Sequence, residues 1–244
     1  AFDVVLQGMS GLMSMTGSPS GQPTLTGISL ADVTTGVFAA LSVVARLFER
    51  EKTGYAGRSD IAMLDCQMAL LENAFARVLN SEEMPARVGN RHPKIAPFQA
   101  FQTQDHPIVV AADGERNWQA MCGALGLDRL LEDPLFYDNH QRVANSEQLE
   151  AVLGPIFAAR PSAEILRTLV AADVPCGPVN SVSEALEMPP VIERGLISEV
   201  INQHGRVLRF ISSPVGRDLG IKDVAAPTLG QHTVEILNEL NHRS

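Results

Sequence analysis

The feature that most constrains the fold is an acidic residue placed at the start of a long apolar segment. Asp32 is followed by two threonines and Gly36, and apolar residues then recur with helical spacing as far as Arg46. This pattern predicts a helix over residues 33–52, which ends at Thr53-Gly54 with basic residues in its last turn. Because almost every residue before Arg46 is apolar or small, we expect this helix to be largely buried.

Asp32 itself has two interpretations. At a helix start, unpaired backbone N–H groups and the positive end of the helix dipole favour an ionised carboxylate, and Gly36 would let a ligand approach the backbone closely. A buried carboxylate held in that way is a candidate nucleophile. The alternative is that Asp32 only caps its helix, and these few residues by themselves favour the cap.

Composition limits the class of protein. The chain has 244 residues, of which 45% are hydrophobic, so it can form one large domain or two ordinary ones. The formal net charge is −9 and no basic run occurs, so we expect no nucleic-acid partner. The N-terminal apolar residues are interrupted by Gly, Ser, Thr and Pro and carry no preceding positive charge, so we predict neither an export signal nor a membrane span.

Cysteines and histidines give no sign of a metal site. The cysteines are three in number and widely spaced in apolar or small-residue surroundings, which favours free thiols in a reducing cytoplasm over a disulfide framework. The six histidines include no pair four residues apart of the kind that binds zinc on a helix. We therefore expect no metal and a cytoplasmic protein.

The remaining elements are predicted from periodicity and from helix-breaking residues. Residues 60–80 carry the strongest apolar repeat and predict one helix of about five turns. Three prolines between residues 84 and 97 predict a linker. Beyond it we expect a small α+β unit and then a looser segment, with strands at 98–102 and 108–112, helices near 117–125, 146–158, 162–172 and 183–187, a strand pair at 196–201 and 207–211, and a last helix from about residue 232.

Seven short motifs follow one another along the chain. They are Phe2-Asp3 before a Gln-x-x-x-Gly-Leu-Met run, Asp32-Val33-Thr34-Thr35-Gly36, Arg50-Glu51-Lys52-Thr53-Gly54, Gly89-Asn90-Arg91-His92-Pro93, Pro97-Phe98-Gln99-x-Phe101-x-Thr103-x-Asp105, Val174-Pro175-Cys176-Gly177-Pro178-Val179 and Leu229-Gly230-Gln231-His232-Thr233. Each motif alone is weak, but their common order is specific. With these motifs the sequence resembles the class III coenzyme A transferases, the CaiB/BaiF group.

The resemblance implies an α/β fold with two domains in an interlocked homodimer. The large domain would be Rossmann-like and here incomplete, because family members carry roughly a further third of their chain before the position of Ala1. Residues 1–67 would be the large-domain part with the catalytic aspartate, 68–96 a helix and linker, 97–187 the small α+β domain, and 188–244 a return linker and the C-terminal part of the large domain.

The resemblance also implies a reaction and a set of site residues. Asp32 matches the nucleophile that attacks the thioester of an acyl-CoA, giving an acyl-aspartyl anhydride and free CoA thiolate, before a carboxylic acid finally receives coenzyme A. Phe2, Asp3 and Met63 match positions near the substrate and CoA. Phe2 stands where transferases often have Tyr, Asp3 has a helix cap as its alternative, and Met63 is equally consistent with a core residue. Asn90 and His92 lie in a motif without a derived role.

Two other functions remain open. An α-methylacyl-CoA racemase of the same fold would use Asp32 as a base, with a histidine on the other side of the substrate and an acid near Glu115. The histidine position is Phe2 here, and the stretch after Glu115 is closer to the transferase pattern, so we favour the transferase. A non-catalytic, truncated relative is the second alternative, since the segment that supplies much of the CoA site in the family is missing from this sequence.

Overall fold

The computed structural model describes residues 2–81, 83–215, 219–220 and 223–242. The chain divides into two compact units, Ala1–Val179 and Asn180–Ser244. Together their elements form a mixed α/β structure.

The first unit begins with five helices. They are α1 (Asp3–Met9), α2 (Leu12–Met15), α3 (Leu30–Thr53), α4 (Met63–Ala69) and α5 (Glu72–Asn80). The long helix α3 confirms the predicted one, and it ends at Gly54, whose φ of 75° suits glycine and whose N–H donates to the Arg50 carbonyl over 2.8 Å. Arg50 and Lys52 lie in its last turn, where cations interact favourably with the helix dipole.

The single helix predicted over 60–80 is wrong. Two helices, α4 and α5, replace it, and α4 begins only at Met63. The interruption falls at Leu70 and Leu71, where the Leu71 N–H bonds to the carbonyl three residues earlier, on Met68, and Leu71 leaves helical geometry with ψ of 23°. The apolar repeat has the same spacing on both sides of this break, so periodicity alone did not reveal it.

The expected burial of α3 is also wrong. Ala31 is its only fully buried residue among those described, while Val37 and Leu41 are 64% and 63% exposed. The elements that pack against α3 are α1 and α4, and they leave a stripe of apolar side chains uncovered. By length and composition alone α3 could also cross a membrane, a property that it shares with core helices of soluble proteins.

The main core of the first unit lies between a small sheet and four helices. Strands β1 (Phe98–Phe101), β2 (Ile108–Ala111) and β3 (Cys176–Pro178) are antiparallel in the order β1-β2-β3. The helices are α6 (Gly114–Leu125), α7 (Asn139–Ala144), α8 (Ser146–Ala158) and α9 (Ser162–Ala171), with a 3₁₀ turn at Asp128–Leu131. Phe101 stacks on Phe157 with ring centroids 4.3 Å apart, which joins the sheet to α8.

The second unit is small and largely local in its contacts. It contains α10 (Val182–Leu186), α11 (Pro189–Glu193), strands β4 (Ile197–Ile201) and β5 (Val207–Ile211), and α12 (Thr233–His242). The two strands pair antiparallel, as predicted. Ser181 and Glu184 form a capping box at the start of α10.

Candidate active site

The start of α3 is capped from another helix. Its own N-cap residue, Ser29, makes no side-chain hydrogen bond, and instead the Asp3 carboxylate of α1 accepts the Ala31 N–H at 2.7 Å. An acceptor with negative charge at this end satisfies an otherwise unpaired N–H and interacts favourably with the helix dipole. Asp3 therefore caps α3, the alternative given above, and at the same time lies next to the turn that holds Asp32.

Gln7 of α1 holds both the Asp3 carboxylate and the loop before α3 in place. It is 1% exposed, and its amide N–H groups donate to the second Asp3 oxygen at 2.7 Å and to the Ile28 carbonyl at 3.1 Å. Its amide oxygen accepts from the Thr26 N–H at 3.0 Å. A buried amide with both ends satisfied ties the loop before α3 to α1. Gln7 begins the Gln-x-x-x-Gly-Leu-Met run, but that motif does not reveal these hydrogen bonds.

Asp32 lies in the first turn of α3 with its side chain exposed to solvent. Within the described part of the chain its carboxylate makes no hydrogen bond. The neighbouring threonines do not contact it, because the Thr34 and Thr35 hydroxyls donate to the carbonyls of Leu30 and Ala31, at 2.7 and 2.6 Å. Asp32 is thus an accessible carboxylate in a fixed helical turn. The expectation that its carboxylate is buried is wrong for this chain.

The other two predicted site residues lie on elements packed around α3. Phe2 is 81% exposed and is the N-cap of α1, where its carbonyl accepts the Val5 N–H at 3.0 Å. Met63 is the first residue of α4 and is half-buried. Because α1, α3 and α4 contact one another, the structure brings the elements that carry Phe2, Asp3, Asp32 and Met63 together.

The segment 89–93, which holds Asn90 and His92, is positioned by Arg87. The Arg87 guanidinium donates to the carbonyls of Ser14, Ser18 and Gly21, at 3.1, 3.3 and 2.8 Å. These bonds hold the predicted linker against α2 and the loop that follows it. Sequence reasoning missed Arg87, since its partners are 66 to 73 residues away.

Asn90 and His92 line an open groove of about 420 Å³. Its apolar wall is formed by Phe98, Ala100 and Val109 on one face of the sheet. The Lys94 N–H donates to His92 Nδ1 at 3.2 Å, so in the neutral ring the proton lies on Nε2. Asn90 also borders a second open hollow, beside residues 15–19, of about 580 Å³.

Glu115 has a structural partner. Both of its carboxylate oxygens accept from the Arg142 guanidinium, at 2.6 and 3.1 Å. Arg142 is fully buried and also donates to the Ala96 and Phe136 carbonyls. This bidentate ion pair anchors α6 to α7.

The positions of the possible metal ligands and of the three cysteines bear on two other kinds of site. Over residues 2–81, 83–215, 219–220 and 223–242, no three His, Cys, Asp or Glu side chains are grouped as a metal site requires. Cys66, Cys122 and Cys176 are free thiols. Burial raises the pKa of Cys122 to about 12 and also raises the pKa of Cys176, so neither resembles an activated thiolate.

Comparison with known proteins identifies related sequences and structures. The sequence profile of CoA-transferase family III matches residues 1–233. An acetyl-CoA:oxalate CoA-transferase from Acetobacter aceti is 38% identical over 198 residues, which are 81% of this chain and 51% of that protein. A succinate–glutarate CoA-transferase from Agrobacterium fabrum is 31% identical over 241 residues, 98% of this chain and 60% of that protein.

The fold has solved counterparts as well. A crystal structure of a CaiB/BaiF family protein from Brucella suis superposes with a TM-score of 0.79 at 29% identity, over 98% of this chain and 63% of that one. The chain therefore spans about half the length of the curated relatives that it matches, from 51% to 60% for the two transferases above.

Proposed function

This chain belongs to CoA-transferase family III, and from that premise we propose that the whole protein moves coenzyme A from an acyl-CoA to a carboxylic acid. The observation that carries the proposal is the accessible carboxylate of Asp32 in the first turn of α3, a turn that Asp3 and Gln7 hold in place. The names of the related transferases, which pair acetyl-CoA with oxalate and succinate with glutarate, support a carboxylic acid as the acceptor.

We propose Asp32 as the nucleophile. Its carboxylate attacks the thioester carbonyl, the C–S bond breaks, and CoA leaves as a thiolate while an acyl-aspartyl anhydride forms. The thiolate then attacks the aspartyl carbonyl and releases the donor acid, which leaves CoA on Asp32. The acceptor carboxylate attacks the carbonyl of this aspartyl thioester, the C–S bond breaks, and a new anhydride and free CoA thiolate form. The thiolate then attacks the acyl carbonyl of the anhydride and gives the new acyl-CoA and free Asp32. The anhydride must be shielded from water, because hydrolysis would end the cycle.

The surroundings of Asp32 support this role. Asp32 lies at the positive end of the dipole of a helix of 24 residues, a position where a negatively charged side chain interacts favourably with the helix. Asp3 is proposed as a positioning residue, because it holds the turn through the Ala31 N–H. Phe2 and Met63 are proposed to contact the acyl-CoA, with the exposed Phe2 ring available for packing.

The architecture beyond this chain is part of the same proposal. We propose the two-domain division given above and the interlocked homodimer. The uncovered apolar stripe of α3 supports a further covering surface in the assembled protein, because a stripe of this kind is costly in water. A cytoplasmic location is proposed from the three free thiols, two of which are buried.

The structure offers no support for the racemase alternative at the two positions described, Glu115 and Phe2. Glu115 is held by Arg142 in a bidentate ion pair, and Phe2 has no group that can transfer a proton. A racemase would nevertheless reveal itself in deuterated water, where deuterium would enter the α-carbon of a 2-methylacyl-CoA without any exchange of CoA.

The decisive experiment uses Asp32→Ala in the full-length parent protein, with acetyl-CoA and succinyl-CoA as donors and free dicarboxylic acids as acceptors. We expect CoA transfer to fall by about 1,000-fold or more with the fold intact, because the covalent intermediate can no longer form. Asp65→Ala is the matched control, since Asp65 is likewise an exposed acid in the first turn of a helix, and transfer should be unchanged.

Mass spectrometry of the peptide containing Asp32 provides a second readout. During turnover it should carry an acyl or CoA adduct, which Asp32→Ala abolishes. Near-normal transfer by Asp32→Ala would overturn the assignment of the nucleophile, and absence of any transfer by the wild-type protein with every acid tried would overturn the proposed function.

A further inference from the structure

A small polar pocket adjoins the open groove described above and shares Arg91 and Gln99 with its lining. The volume of this pocket is about 170 Å³, and it lies between the segment 89–93, strand β1 and the first turn of α8. Its polar lining includes Arg91, Gln99 and Ser146, and Val143 contributes to its apolar lining. A pocket of this size can hold a group of a few heavy atoms.

Gln99 is the unusual residue of this pocket. It pairs with Arg91 in an isolated antiparallel bridge, and residues directly opposite one another in such a bridge have their side chains on the same face. Gln99 is 7% exposed, and its side-chain amide hydrogen-bonds no other described residue, although, unlike the amide of Gln67, its atoms are not cut off from the pocket. Because no other residue uses its hydrogen-bonding groups, this amide is available to a group bound in the pocket.

The neighbours of Gln99 present mainly hydrogen-bond donors. The Arg91 guanidinium donates from Nη1 to the Ser146 hydroxyl oxygen at 3.1 Å, which leaves the hydroxyl proton available for another acceptor. The Arg91 side chain is only 23% exposed. Ser146 is the first residue of α8, a helix of 13 residues, whose N-terminal end adds a favourable potential for an anion.

One acidic residue competes for Arg91. Glu150 lies one turn further along α8, and its Oε2 is 3.8 Å from Arg91 Nη1. The Glu150 side chain is 53% exposed and at this distance makes no direct hydrogen bond with Arg91. The guanidinium therefore retains donors for a further acceptor.

We propose that this pocket binds the carboxylate group of a short organic acid, with Arg91, Gln99 and Ser146 as its donors. Two carboxylate oxygens match a planar guanidinium together with an amide N–H and a hydroxyl, all of which can donate. The inference rests on the proposed function in identifying this acid with the class of acid that the reaction uses. It assigns a role to Gln99, Ser146 and the arginine of the 89–93 segment.

Isothermal titration calorimetry of the full-length protein with succinate, in the absence of CoA, tests the site. Succinamide is the uncharged control and should bind at least about 10-fold more weakly, because it cannot form charge-assisted hydrogen bonds. Gln99→Met and Ser146→Ala should each weaken succinate binding by about 10-fold. Glu150→Gln should strengthen it, since it removes the carboxylate that competes for Arg91.

Thermal unfolding distinguishes a ligand-binding role of Gln99 from a purely structural one. Methionine has nearly the length of glutamine and no polar group to satisfy, so Gln99→Met should keep or raise the Tm while it weakens binding. A lowered Tm would mean that the amide has a structural partner and would overturn the proposal. Equal affinity for succinate and succinamide, or unchanged binding by Gln99→Met, would overturn it as well.

The two proposals fail separately. If Asp32→Ala transfers CoA normally while succinate binding depends on Gln99, only the nucleophile is wrong. If wild-type transfer depends on Asp32 while Gln99→Met binds and uses succinate normally, only the carboxylate pocket is wrong.

Discussion

Replacement of Arg142 by methionine should be among the most destabilising single changes in the first unit. Arg142 is fully buried, although it carries a charge, and its guanidinium lies 4.9 Å from the ring of Trp118. Its Nε donates to the Ala96 carbonyl at 2.7 Å and its Nη1 to the Phe136 carbonyl at 3.1 Å. The same side chain thus joins the start of the sheet, the loop before α7 and Glu115 on α6.

The magnitude follows from what the substitution leaves unpaired. Methionine fills much of the volume but leaves two buried carbonyls without their N–H donor, at about 1–3 kcal/mol each. The lost contact with Trp118 adds about 1 kcal/mol. Glu115 contributes little to the loss, because its side chain is 48% exposed and water can replace the arginine. We therefore expect the free energy of unfolding to fall by about 3–7 kcal/mol, the total of these costs.

Glu115→Gln is the matched control. It removes the charge of the partly exposed partner but keeps both buried carbonyl bonds, so the loss should be about 1 kcal/mol or less. Urea unfolding followed by fluorescence reports on both variants, because Trp118 is the one tryptophan of the chain. If Arg142→Met cost no more than Glu115→Gln, the argument from the two buried carbonyls would be wrong.

Three further perturbations test other parts of the structure. Asp3→Ala should lower the free energy of unfolding by about 1 kcal/mol in urea titrations, because α3 loses its cap, and Asp3→Asn should restore most of it. The pKa of Asp105 is about 2, below its usual 3.8, chiefly because its carboxylate accepts the Ser162 N–H. The ionised Asp105 therefore stabilises the fold above about pH 4, and this stabilisation is lost as the pH falls towards 2. The Tm of Asp105→Asn should accordingly vary less with pH in that interval than the wild-type Tm. Iodoacetamide at pH 8 should label Cys176 before Cys122, whose thiol is buried with a pKa of about 12, as peptide mass spectrometry would show; equal labelling rates would contradict this.

Elements with local signals were predictable from the sequence. The helix at 146–158 has the bounds that its pattern predicted, and the two strands after the proline-rich linker pair as expected. Strand β3 was missed, because Cys176-Gly177-Pro178 lacks the β-branched and aromatic residues that signal a strand, and its pairing with β2 comes from tertiary contacts. Local preference cannot supply that pairing.

The residues proposed for the candidate site come from the sequence, whereas their contacts come from the structure. Asp32 was recognised from its place before an apolar helix, and Asp3 from the motif order. The bonds that hold them involve Gln7 and Arg87, whose partners lie from 4 to 73 residues away, and no spacing rule reports such pairs. The exposure of α3 also escaped prediction, since an apolar pattern indicates that a face needs cover without stating what covers it.

The cap that Asp3 supplies to α3 has a consequence for how the site is held in shape. The bond from the Ala31 N–H spans 28 residues, and Ser29, the local residue at that position, offers no side-chain substitute. An isolated α3 peptide would therefore fray at the end that carries Asp32, while its Gly54 end keeps a local stop signal. The turn with the proposed nucleophile is therefore held only when α1 is docked against α3, so order at the reactive end of this helix depends on a tertiary contact.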